Sequence, residues 1–245
     1  MARHDHGYLI DPSIPGWTYN KELYWLAMLA SRVPPSMEIV EIGAWCGRST
    51  YPLFHNRQDG TRITVVDTFA CEGTYGPDVT SLVTALGDRD RINRMIELAR
   101  SSGSWLPCFR ESVGYHDDLT VVQSSSLAMD TRPDVGLVFI DGNHEDGMPT
   151  VDLEKFLDDP HTLIAMDDCV SWWPDVVSAV IMARSRYKRS VIMPMATKMA
   201  LILPTTGPML DAASEIMAST MANGSPFDPR PVDGYPWDQQ GRLTI

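Results

Sequence analysis

Three aspartates set the chemical question. Asp141 ends the apolar run "VGLVFID", and Asp167 and Asp168 end "TLIAMDD". Strand-end aspartates often cap a following helix, and capping accounts readily for one of them. Three carboxylates brought to one edge repel each other unless a cation or a proton neutralises them. Hard oxygen donors with room for water suit Mg²⁺ or Mn²⁺. A divalent cation held there lowers the pKa of a bound hydroxyl and fixes its oxygen. His144, in "DGNHED", lies three residues beyond Asp141. Its ordinary pKa near neutrality suits a general base. It suits equally a residue that orients an aspartate or touches a substrate, and Asp141 is a second candidate base.

A second constellation lies upstream, in "VEIGAWCGRST" (residues 40–50). An apolar run ends at Gly43, and Gly47, Ser49 and Thr50 follow. Glycine after a strand permits a tight turn and close backbone approach to a ligand. The spacing Gly43-x-x-x-Gly47, preceded by Glu41, departs from the GxGxxG of dinucleotide sites and suits a ligand without a pyrophosphate. The next apolar run, "RITVVDTF", ends at Asp67. An acid there can accept hydrogen bonds from both hydroxyls of a ribose. A plain strand-to-helix turn explains the glycines alone; with Asp67, a nucleoside site explains more.

These residues need a sheet to align them. "TYNKELYWLAMLAS" (18–31) has helical spacing and is stopped by Val33-Pro34-Pro35. Strands are expected near 38–43, over "RITVVDTF", and at 119–123, 135–141 and 162–168. Helices are expected from Ser49 and over 148–157 and 175–187. Residues 70–118 read as an insertion with one helix near 88–101. "RSVIMPMA" and "KMALILP" read as an antiparallel hairpin, and the Pro- and Gly-rich tail from Met221 as irregular. Apolar strands alternating with helices imply a doubly wound α/β sheet of about seven strands, mostly parallel, with an antiparallel edge. In such sheets ligands bind beyond the carboxyl ends of the strands.

Composition narrows the partners. A net charge of −12, with "RSRYKR" (184–189) as the one basic cluster, argues against nucleic-acid binding. No apolar run reaches transmembrane length, and "MARHDHGYLI" lacks the apolar core of a secretory signal. The four cysteines are widely spaced and form no CxxC. The expectation is a cytoplasmic protein with reduced thiols and no membrane partner.

Taken in order, "VEIGAWCGRST", "VVDTF", "VFIDGNHEDG" and "MDDCVSWWPDVVSAV" resemble the class I S-adenosylmethionine (SAM) dependent methyltransferases. The likeness runs over about Trp17 to Pro204 and points to the subgroup with metal-dependent sugar O-methyltransferases of macrolide maturation, related to catechol and caffeoyl-CoA O-methyltransferases. It implies a Rossmann-like methyltransferase sheet. Gly43 and Gly47 would line the methionine part of SAM, Glu41 would support the loop, and Ser49 would meet the carboxylate. Asp67 would hold the ribose, with Thr68 and Phe69 beside the adenine. The family's "GDS"-like segment reads Gln123-Ser124-Ser125-Ser126 here, so Ser125 or Ser126 would supply the adenine-edge contact. Asp141 would border the cofactor and, with Asp167 and Asp168, hold Mg²⁺ or Mn²⁺. From the residues themselves, Trp172 and Trp173, just after the aspartate pair, suit a wall of the acceptor pocket or plain packing equally, and Trp17, Tyr19 and Trp45 are similar candidates near the cofactor turn.

The chain is expected to divide into an N-terminal helical cap (1–37), a SAM-binding catalytic domain with its insertion (38–208), and a C-terminal helix and irregular tail (209–245). The leading expectation is metal-dependent O-methylation of a small hydroxylated molecule, a sugar or natural-product scaffold, by a homo-oligomer. A metal-independent N-methyltransferase would use the acids to hold a cationic amine. A nicotinamide-dependent dehydrogenase and a non-catalytic SAM-fold scaffold are the other readings.

Overall fold

Successive residues of the central strands point to opposite faces, and each face carries its own apolar core. Ile39, Ile63, Val65, Leu137 and Phe139 belong to one, Val40, Ile42, Val138 and Ile140 to the other. The computed structural model describes residues 3–5, 7–71, 89–130, 132–194 and 197–222. In chain order its elements are β1 (Arg3–Asp5), β2 (Tyr8–Ile10), α1 (Asn20–Ala30), β3 (Glu38–Ile42), α2 (Thr50–Asn56), β4 (Arg62–Asp67), α3 (Arg89–Ser102), α4 (Leu106–Val113), β5 (Leu119–Gln123), β6 (Val135–Ile140), α5 (Met148–Leu157), β7 (Leu163–Met166), α6 (Pro174–Ser185), β8 (Val191–Ile192), β9 (Ala200–Ile202) and α7 (Pro208–Ala222).

Seven strands form one sheet in the order β5-β4-β3-β6-β7-β9-β8. The first five are parallel; β9 runs antiparallel to both β7 and β8. Leu23, Leu26 and Leu29 of α1, Leu53 of α2, Met95 of α3 and Phe109 of α4 cover one face. Leu153 and Phe156 of α5 and Val176, Ala179 and Val180 of α6 cover the other. Burial on both faces explains why the strands read as unbroken apolar runs. Proline in the first turn of α4, α5 and α6 starts each helix where its missing N–H has no partner to lose.

The strand order turns back between β3 and β6, whose ends are joined by the Asp141 N–H donating to the Ile42 carbonyl at 2.8 Å. Asp167 N–H does the same to Ile140. The glycine turn and the aspartates therefore open onto one crevice at the switch point, where doubly wound sheets place their ligands.

The doubly wound sheet and its antiparallel edge match the sequence reading. Three local features do not. β1 and β2 form a hairpin at the start, where only a helical cap was expected; Asn56 docks it by bonding both the N–H and the carbonyl of Leu9 at 2.8 Å. The insertion carries a second helix, α4, anchored by buried Trp105, Cys108 and Phe109. β8 is only two residues long. Part of the insertion (72–88) and the irregular tail beyond 222 lie outside the described residues. No disulfide joins the four cysteines, and no helix among the described residues is long and apolar enough to cross a membrane.

Candidate active site

The glycine turn is fixed from beneath. Gly43 has φ +83°, and a Cβ there would collide with the backbone carbonyl of Asp141. Gly47 has the same φ, and its Cβ would meet Val113 Cγ2 at 2.5 Å. Only glycine combines this conformation with that proximity. Glu41, fully buried, accepts hydrogen bonds from Ser49 Oγ at 2.6 Å and Thr50 Oγ1 at 2.5 Å. It pins the start of α2 to the end of β3, and burial pushes its carboxyl up to about 8 against those two bonds.

Asp67 supports the same turn from the neighbouring strand. Its Oδ2 accepts the N–H of Ala44 at 2.7 Å and of Trp45 at 2.8 Å, and Oδ1 accepts that of Phe69 at 2.6 Å. A carboxylate has about four lone-pair positions, so Oδ1 retains room for one further donor. Phe69 is buried, and Thr68 and Ser126 border the crevice. Ser125 Oγ accepts the Leu127 N–H at 3.3 Å and caps the short 3₁₀ turn Ser126–Ala128.

One cavity of about 760 Å³ runs along the glycine turn and the strand ends, within the roughly 300–1,000 Å³ usual for small-molecule sites. It is lined by Gly43, Ser49, Asp67, Thr68, Phe69, Ser125, Ser126, Asp141, His144, Asp167 and Asp168. Glu41 and Gly47 stand behind its wall. Trp17, Tyr19, Trp45, Trp172 and Trp173 complete it. Trp17 stacks on Trp45 at 4.9 Å, and Trp173 lies 5.0 Å from the His144 ring. His116, from the insertion, packs against Phe54 and bonds the Val113 carbonyl.

The acidic edge is built around His144. Its Nε2 lies 3.3 Å from Asp141 Oδ1 and its Nδ1 3.7 Å from Asp168 Oδ2. Burial works to lower the pKa of His144, but the Asp141 carboxylate against its Nε2, with the charge of Asp168, outweighs it and raises the pKa. Asp168 sits at φ +55°, directed by its own N–H bonding Asp167 Oδ1 at 2.8 Å.

Sequence reasoning missed Lys198. Its ammonium bonds Asp168 Oδ1 and lies 3.7 Å from Asp167 Oδ2, with the Tyr19 ring 5.1 Å away. Burial would lower its pKa, but the charges of Asp167, Glu22, Asp168 and Asp141 outweigh that and push it well above the usual lysine value. Lys198 opens the apolar run "KMALILP" and reads there as an ordinary strand residue. The available signal was its isolation, since no other Lys or Arg lies between Arg189 and Arg230.

The donor set tests the divalent cation expected at Asp141, Asp167 and Asp168. Among the described residues, the donor atoms that converge within 4.8 Å belong to Asp141, His144 and Asp168, without Asp167. Asp167 faces the Asp168 N–H and Lys198 instead, and Lys198 already holds one oxygen of Asp168. The three carboxylates therefore do not fit an open oxygen cage for Mg²⁺.

Residues 40–169 match the family model described as "Methyltransferase domain". The chain belongs to that family. This methyltransferase has the fold of the class I SAM-dependent enzymes. A crystal structure of a Corynebacterium glutamicum protein superposes with a TM-score of 0.52 at 13% identity, covering 79% of this chain and 84% of that one. An O-methyltransferase from Bacillus cereus, in complex with S-adenosylhomocysteine (SAH), aligns at 0.46 and 17%, covering 77% and 84%. The SAH-bound Podospora anserina methyltransferase PaMTH1 aligns at 0.48 and 12%, covering 76% and 78%. No curated protein matches the methyltransferase in sequence.

Proposed function

We propose that this methyltransferase transfers the SAM methyl group to a hydroxyl of a small molecule, a sugar or a natural-product scaffold. The observation that carries the reading is His144, held between Asp141 and Asp168 on the same cavity as the glycine turn. SAM supplies, when bound, a methyl group already activated by a sulfonium. Gly43 gives the methionine end close backbone access, Asp67 offers Oδ1 to a ribose hydroxyl, and Thr68, Phe69, Ser125 and Ser126 border the adenine. The acceptor lies against Trp172 and Trp173, its hydroxyl toward His144. As the O–CH₃ bond formed and the S–CH₃ bond broke, leaving SAH, the acceptor proton would pass to the imidazole, and the charges of Asp141 and Asp168 would stabilise the imidazolium. Alignment of acceptor and donor supplies the rest of the acceleration.

N-methylation would need the acid cluster to hold a cationic amine. Lys198 already sits on that cluster, which supports the hydroxyl reading. Metal-dependent O-methylation would use Asp141, His144 and Asp168, the donors that converge. The test is calorimetric titration with SAH, followed by transfer of labelled methyl from SAM to catechols, sugars and simple amines. Saturable SAH binding, weakened at least tenfold in Asp67→Ala, and label on a hydroxyl are expected. Absence of SAH binding, or label on amines alone, overturns the reading.

A further inference from the structure

The acidic edge carries more like charge than a protein places together without compensation. Asp141, Asp167 and Asp168 meet there, and Glu22 of α1 lies behind them, fully buried. The compensation is covalently part of the chain. Lys198 is 4% exposed, Asp167 1%. Burying an ammonium is costly unless it is paired, so an unpaired lysine would not adopt this position.

The backbone around Lys198 is as tightly held as its side chain. Its N–H donates to Glu22 Oε1 at 2.6 Å, and its carbonyl accepts the Cys169 N–H at 2.7 Å. The segment is thus joined to α1 on one side and to the residue after Asp168 on the other. The ammonium is caged by Asp168 Oδ1, Asp167 Oδ2 and the face of Tyr19. Asp168 then links two groups: one oxygen on Lys198, the other toward His144.

We propose that Lys198 is the resident cation of this acidic edge, occupying the place expected for a divalent metal, so that the protein binds no metal there. Lys198 is a positioning residue: it fixes Asp168, and through Asp168 the imidazole. A single ammonium is a point charge with hydrogen-bond donors and no open coordination positions. The acceptor therefore needs one hydroxyl near His144 and not two adjacent hydroxyls to chelate a metal. This statement about the acceptor rests on the methyl-transfer reading; the assignment of Lys198 as the resident cation does not.

Titration with Mn²⁺, followed by electron paramagnetic resonance of the free ion, tests the proposal in wild type and in Lys198→Met. SAH calorimetry with and without EDTA runs alongside. Wild type is expected to take up no Mn²⁺ at millimolar concentration and to bind SAH equally with EDTA. Lys198→Met is expected to gain one Mn²⁺ site at least tenfold tighter than wild type, lost again in Lys198→Met/Asp168→Asn. One equivalent of Mn²⁺ bound by wild type overturns the proposal, whether or not the variants fold. So does a folded Lys198→Met protein that takes up no Mn²⁺. Absence of SAH binding both with and without EDTA would instead remove the methyl-transfer reading and leave the lysine's role standing.

Discussion

Glu22 holds Lys198 from 176 positions away: its Oε1 accepts the Lys198 backbone N–H at 2.6 Å, while Oε2 accepts that of Tyr19 at the same distance. One buried carboxylate thus couples the first helix, the entrance to the cavity and the cationic end of the acidic edge. Glutamine at this position has a single acceptor oxygen. Glu22→Gln is expected to leave one buried N–H unpaired and to cost about 1–3 kcal/mol. Urea denaturation monitored by circular dichroism checks this, and an unchanged midpoint would show that Glu22 is not structural.

His144 gives a pH signature. The base acts as neutral imidazole, and its neighbours raise its pKa above the ordinary 6.5. Activity should therefore be low in acid and rise with pH through an inflection above that value. Asp141→Asn removes the largest raising influence and is expected to move the inflection down. His144→Gln should lower kcat about 10²–10⁴-fold while SAH affinity stays within about twofold. A flat profile of kcat/KM against pH would exclude His144 as the base.

Glu41 gives a stability signature of the less common sign for a carboxyl group. Its native pKa is raised from 4.5 to about 8 by burial, so the native state keeps a proton that the unfolded chain releases. Stability should fall as pH climbs between those values, by about 1.4 kcal/mol per unit from this group, and level off above. Glu41→Gln, neutral throughout, should flatten that slope. Thermal melts at several pH values compare the two proteins, and parallel curves would refute the assignment.

Arg48 clamps the segment that closes the cavity. Its guanidinium donates to the carbonyls of Pro12, Ile14 and Thr18 and to Asn20 Oδ1, and it is 3% exposed. Arg48→Met should cost about 3 kcal/mol from the carbonyls left unpaired and weaken SAH binding by loosening the Trp17 wall. Arg48→Lys should fail to restore either, because an ammonium cannot reach three carbonyls through one fork. Melting temperature and SAH affinity measured together decide it.

Strand ends were the most legible part of the molecule. An apolar run broken by Gly43, Asp67, Asp141 or Asp167 announces both the strand and the group it carries, because parallel strands deliver their ends to one edge. What escaped was everything set by tertiary partners. The β2 strand is three residues long and depends on Asn56, a contact with no local pattern. Helix α4 was hidden in the insertion because its buried side, Cys108 and Phe109, is short. Lys198 and Glu22 meet only after the sheet has formed, so their pairing left no local pattern. The three aspartates showed their proximity in sequence, but their neutraliser lay on another element.

Trp17, Trp45 and Trp105 run as a connected series along the cavity, stacked and then edge-on, each step 4.9 Å between ring centres. Trp45 also lends its backbone N–H to Asp67. Indole emission responds to polarity and to nearby quenchers, so the molecule carries an intrinsic optical gauge at its own entrance. Occupancy of the crevice can be followed in unlabelled protein, on stopped-flow timescales, without knowing the acceptor.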